Sequence, residues 1–133
     1  MATGNFILDK GFNVASGQQI TKFRAVKLSA LEEVTPVTAV GDNAIGVAQW
    51  GVSSAELLKG KGTSVRMLGI TEMEASEAIA VGDVVVLASD GRAATTPTAG
   101  DRVVGTCLKA AAQAGDRITV FWFPTHRLFT TGS

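Results

Sequence analysis

Apolar and polar positions along this chain follow the period of strands almost everywhere. From Arg117 to Phe123 the strand period sets Ile118, Val120 and Trp122 on one face and Phe121 and Phe123 on the other. A strand with apolar side chains on both faces has to be covered on both. Val84-Val85-Val86-Leu87 is a continuous apolar run of strand length, followed by Asp90-Gly91, a dipeptide suited to a tight hairpin, and by Arg92 to Thr95 as the returning strand. Ile20 to Leu28, Val34 to Val37, Ile45 to Gln49, Val65 to Leu68 and Val103 to Leu108 read as further strands. Leu31-Glu32-Glu33 is the expected turn between the first two, and Gly69 to Ala75 reads as a connection. Pro36 cannot donate to a ladder, which places it at a sheet edge or a bulge.

Helical patterning occurs once. Ser53 and Glu56 have the spacing of a capping box, in which each side chain satisfies an amide of the first turn, and Gly60 suits the left-handed stop. A helix this short has to be held by Leu57 and Leu58 packing on the sheet.

The strands are written twice. Gly41-Asp42-Asn43-Ala44-Ile45-Gly46 returns 59 residues later as Gly100-Asp101-Arg102-Val103-Val104-Gly105, and at that offset Ile20 falls on Ile79, Val26 on Val85 and Leu28 on Leu87. A Gly-Asp corner starts a strand sharply, because glycine takes a positive φ without steric cost and the aspartate accepts from the backbone beyond it. The stretch Lys109 to Gly115 stands where the first copy has its helix, and the glycine spacings imply about six extra residues in the first copy. The fold class expected is therefore all-β with one short helix: a small closed barrel or sandwich built from two tandem pseudo-repeats, about 20–70 and 79–124, forming a single domain over 20–124. Residues 1–19 show no helical period. They read as an extended N-terminal arm, with an ordinary edge strand as the alternative, and 125–133 form a C-terminal tail.

A chain of 133 residues with 46% apolar and 18% charged side chains can bury a full core without a metal or disulfide. Twelve basic residues balance twelve acidic ones, which argues against nucleic-acid and membrane partners and suits packing against other protein surfaces. Trp50, Phe121 and Phe123 are apolar residues that a monomer of this size does not readily hide, and they point to a homo-oligomer, a trimer being the expected state. The single Cys107 lies in an apolar run and reads as a buried, inert thiol in a chain made in a reducing cytoplasm, with no signal peptide at the start.

No catalytic, cofactor-binding or metal-binding set emerges. Gly60-Lys61-Gly62-Thr63 lacks the glycine spacing and the Lys-Ser/Thr step of a phosphate loop, and His126 is the only histidine, without a second ligand at metal spacing. Glu72 and Glu74 share a strand face near Glu77, which reads as a solvated edge rather than an acid–base pair. Lys22, Arg24 and Lys27 form a small basic patch that reads as an interface rim. Ala80 to Leu87 has the Gly-Asp strand entry seen in biotinyl and lipoyl carrier domains, but the hairpin tip Ser89-Asp90-Gly91-Arg92 carries no lysine to modify.

Lys10 to Gly17, Phe23 to Leu28, Ile45 to Gln49, Val65-Arg66 to Gly69-Ile70, Ala80 to Asp83, Ser89 to Ala93 and Gly100 to Gly105, in that order, resemble a family of bacteriophage and prophage proteins, the capsid decoration or cement proteins. The resemblance covers roughly residues 10 to 123. It implies a non-enzymatic structural virion protein that binds the major capsid protein on the outer surface of the head, commonly as a homotrimer, and reinforces the shell. The alternatives are another phage structural component, of a tail or head fibre, and a small-molecule-binding β-barrel. Phe6, Ile7, Leu8 and Phe12 lie outside the duplicated unit and are the expected partner-binding residues.

Overall fold

A computed structural model describes residues 7–39, 41–95 and 102–123. Among the described residues nine strands form one sheet: β1 (Leu8–Val14), β2 (Ala25–Ala30), β3 (Glu33–Pro36), β4 (Ala44–Ala48), β5 (Thr63–Glu74), β6 (Val84–Leu87), β7 (Ala93–Ala94), β8 (Val103–Lys109) and β9 (Arg117–Trp122). The sheet order is β1-β3-β2-β4-β5-β9-β8-β6-β7, and β1 also pairs with β5, so the first five strands close into a barrel. The remaining strands grow from the second half of β5. They curl back until Ala93 bridges Ala75 in parallel, which gives a second unit with the same connectivity.

The duplication can be read residue by residue in the register. Val26 pairs with Gly46 and Val85 with Gly105, and each pair is followed by a bulge that brings Lys27 to Ala44 and Val86 to Val103. The isolated bridges Ile20 to Val52 and Ile79 to Ala111 are counterparts at the same offset. Past them the offset changes: Val47 pairs with Arg66 and Thr106 with Phe121, so the first copy carries four extra residues, not six, and spends them on its helix. Gly100 and Asp101 lie outside the described residues.

Strand β5 belongs to both units. Its first half closes the barrel against β1 and β4, and its second half pairs with β9 from Gly69–Trp122 to Glu74–Arg117. The segment Gly69 to Ala75, expected as a connection, is therefore strand as far as Glu74. The N-terminal region differs from expectation in a related way. Leu8–Val14 is no arm but an integral barrel strand, antiparallel to β5 from Leu8–Leu68 to Phe12–Thr63 and parallel to β3 at Asn13–Glu33 and Val14–Val34. Strand β2 begins at Ala25 rather than Ile20, because Phe23 has a φ of 64°, a left-handed conformation that its counterpart Gly82 adopts at 88°.

Two cores result. Phe12, Val14, Val26, Val34, Val65 and neighbours fill the barrel, with Leu57 of α1 (Ser54–Leu58) packed against them. The capping box forms as expected, Ser53 Oγ accepting from Glu56 N and Glu56 Oε1 from Ser53 N, but Leu58 points into solvent. The second core, around Met73, Leu87, Val120 and Trp122, includes Ala25, Ala44 and Val47 from the outer face of the first barrel. That outer face thus seals the second unit. Arg24 bonds Glu74 through two nitrogens at 3.1 and 3.3 Å, and Ala25 N donates to Gly91 O at 2.9 Å across the same seam.

Asp42, at the first Gly-Asp corner, accepts from Lys27 Nζ at 2.8 Å and from the amides of Thr38 and Ala39 at 2.9 and 3.1 Å. The Lys27 bond, helped by the two amides and opposed by burial, holds its carboxyl below the ordinary range. A depressed folded-state pKa adds stability above the unfolded-state pKa, and that stability is lost as pH falls through the folded value. Asp42→Asn should melt below wild type at neutral pH, with the gap shrinking as the solution is acidified. A gap of constant size in thermal melts across that range would assign the cost to turn geometry instead.

Candidate functional site

The second unit turns an apolar row outward. The pairs Ile70–Phe121, Phe121–Thr106 and Thr106–Val84 run across four neighbouring strands, β5, β9, β8 and β6, and all four side chains are exposed. Alternation along β9 produces this directly: Ile118, Val120 and Trp122 fill the core, so Phe121 and Phe123 must face out. The two outer rings meet edge to face, with centroids 5.8 Å apart and planes at 62°. Beside this row, Leu8 pairs with Leu68, and both are exposed together with Ile7. The outer face is thus largely apolar from the start of β1 across to β6, with Thr106 the polar position in the row. Contiguous exposure of this kind marks an interaction surface in a protein whose interior is already filled.

The first barrel treats the equivalent positions differently. Arg66, the counterpart of Phe121, bonds Asp9, the counterpart of Ile70, through Nε and Nη2 at 2.9 and 3.0 Å. An ion pair in one copy stands where the other has two apolar residues.

Of the residues expected to bind a partner, Phe6 lies outside the described residues, and Ile7 and Leu8 are exposed at the edge of the apolar face. Phe12 is withdrawn from that set: it points into the barrel at 7% exposure, with Lys10 Nζ 5.3 Å from its ring centroid. Leu68 and Ile70 join the site although the sequence reading passed over them. Their outward direction depends on which face of a closed sheet they occupy, and only the register supplies that. Trp50 is exposed on another part of the surface, with Lys22 Nζ 5.1 Å above its ring.

The other candidates resolve into structural roles. Lys22, Arg24 and Lys27 do not form a patch: Lys22 lies over Phe23 and Trp50, Arg24 bonds Glu74 and Lys27 bonds Asp42. Glu74 is held by Arg24 and Arg92 rather than paired with Glu72. The Cys107 thiol is buried, donates to Lys109 O at 3.2 Å, and has its pKa pushed up by that burial. Among the described residues no three His, Cys, Asp or Glu side chains are placed to hold a metal ion, and no helix is long and apolar enough to cross a membrane. An open groove of about 500 Å³ lies between β1 and α1, lined by Val14, Glu33, Leu57, Leu58 and Lys61 among others.

A duplicated β-barrel whose second unit turns exposed apolar side chains outward presents an interaction surface. The family profile for phage cement proteins matches residues 12–121, and the chain belongs to that family. It is a structural virion protein that binds the capsid. Among solved structures, the fold is similar to the head fiber gp8.5 N base in bacteriophage phi29, with a TM-score of 0.64 at 21% identity over 88% of this chain and 94% of that one. No curated protein matches it.

Proposed function

We propose that this protein decorates the outer surface of a phage head, where it binds the major capsid protein as a homotrimer and reinforces the shell. The observation that carries this reading is the exposed cluster Ile7, Leu8 and Leu68, an apolar surface at the start of the chain that the filled barrel does not need for its own core. Three such clusters on one trimer bind a shell with avidity, so a weak individual contact suffices. Head expansion would favour decoration only by creating or improving the surface that these clusters meet, so attachment should distinguish expanded from immature heads.

The test is attachment of purified protein to expanded, undecorated heads. The double variant Leu8→Lys/Leu68→Asp, which replaces no core residue and sets opposite charges across the strand pair, should keep the wild-type melting temperature and weaken attachment at least tenfold, or about 1.4 kcal/mol. Unchanged attachment would move the capsid contact elsewhere on the barrel. A second reading, a base from which a head fibre projects, is favoured by the similarity to the head fiber gp8.5 N base. Electron microscopy of decorated heads separates the two, since a fibre base would carry an extended projection and a cement protein would lie flush with the shell.

A further inference from the structure

The two units of this chain meet end on side. The end of the second unit, at Leu87 and Gly91, seats on the outer face of the first at Ala25, Ala44 and Val47. The 59-residue offset gives each member of that contact a counterpart: Leu28, Glu32, Val84 and Thr106 are exposed, and Val103, the counterpart of Ala44, is half-buried. Ala25 is 1% exposed and its counterpart Val84 is 45% exposed; Val47 is buried and its counterpart Thr106 is exposed. On the other half of the contact, Leu87 is 2% exposed while Leu28 is 52% exposed, and Leu31, in the place of Asp90, is 92% exposed. The chain therefore carries this contact once closed and once open, with the open end on the first unit and the open side on the second.

We propose that the Leu28–Leu31 end of one copy seats on the Val84–Thr106–Phe121 face of a second copy, repeating between molecules the contact that joins the two units within one. The occupant is a second copy because the end that fits this kind of face is present in the chain itself. This contact rests on the self-association proposed above and gives it a surface. It is heterologous, since end meets side, and so it propagates into a ring or a filament rather than closing as a two-fold dimer.

The charges differ from the internal version in a way that can be measured. Arg24 and Arg92, which bind Glu74 and Asp90 within the chain, have Asp83 and Glu33 as counterparts. The intermolecular contact loses the ion pairs and brings acidic groups together, while gaining Leu31 in the place of Asp90. Its affinity comes from apolar burial, and screening the acidic groups strengthens it, so association should increase with ionic strength.

Sedimentation velocity on the full chain tests this. Wild-type protein should gain mass with concentration, and more so at high salt. Leu31→Glu, which blocks the end, and Thr106→Glu, which blocks the side, should each shift association at least tenfold towards monomer. An equal mixture of the two variants should form one-to-one pairs and nothing larger, because one intact end and one intact side remain between them. Glu33→Arg, a surface change that restores the sign of Arg92, should tighten association about threefold, and no effect of this variant counts against the geometry even if a blocking variant folds poorly. A wild-type protein that stays monomeric overturns both this contact and the homotrimer. Unchanged mass in the single variants, or monomers only in their mixture, overturns this contact alone. Unchanged mass with lost head attachment assigns the face to the capsid instead.

Discussion

Phe12→Ala should cost about 3–5 kcal/mol, and a chain lacking residues 2–13 should not fold. The first figure follows from a phenylalanine whose ring is buried among Val14, Val65 and their neighbours in the barrel core, where the space left behind cannot fully collapse. A domain has only about 5–15 kcal/mol in total, so the single change already places it near its limit. Deletion removes more than a side chain. Strand β1 is the one that pairs with both β3 and β5, and without it the barrel opens and leaves the facing edges of both strands unpaired. Denaturant midpoints of Phe12→Ala and circular dichroism of the deletion variant are the measurements. A folded deletion variant would show that β1 is dispensable and would return residues 1–19 to the status of an arm. Leu8→Asp, four residues away on the same strand but outward-facing, should leave the midpoint almost unchanged.

The same strand shows what the sequence made legible and what it hid. Alternation, the Gly-Asp corner and the 59-residue offset were enough for strand content, the capped helix and the duplication, because each is encoded in neighbouring residues or in a fixed spacing. Strand β1 does not show as part of the repeat because its counterpart does not lie at that spacing. Val34 and Ala93 are 59 apart, but their parallel partners Val14 and Ala75 are 61 apart. The counterpart of β1 is also hidden inside β5, a strand that ends one unit and begins the next. No local pattern announces a strand with two such roles. The outward apolar face was legible only in β9, where both faces are apolar, since Leu68 and Ile70 acquire their direction from the register of a closed sheet.

The glycines that revealed the repeat should also be its least tolerant positions. Gly46 and Gly105 occupy the same place in the two units, paired with Val26 and Val85, and neither is in a left-handed conformation. Backbone freedom is therefore not what they supply. A Cβ on Gly46 would run into the carbonyl oxygen of Arg66 and the Cγ1 of Val65, and one on Gly105 into the carbonyl oxygen of Phe121, closer than real Cβ atoms approach. Both collisions are with the next strand, and backbone there can move only by parting β4 from β5 or β8 from β9. Gly46→Ala and Gly105→Ala should each cost about 3 kcal/mol or more, the upper end of what overpacking costs. Gly11→Ala is the control, since a Cβ there has nothing within 4 Å. It should be neutral or stabilising by up to about 1 kcal/mol through the loss of unfolded-state entropy. If all three variants unfold at the wild-type denaturant midpoint, the close approach of the strands at the repeated glycines is not tight enough to explain why both copies carry one.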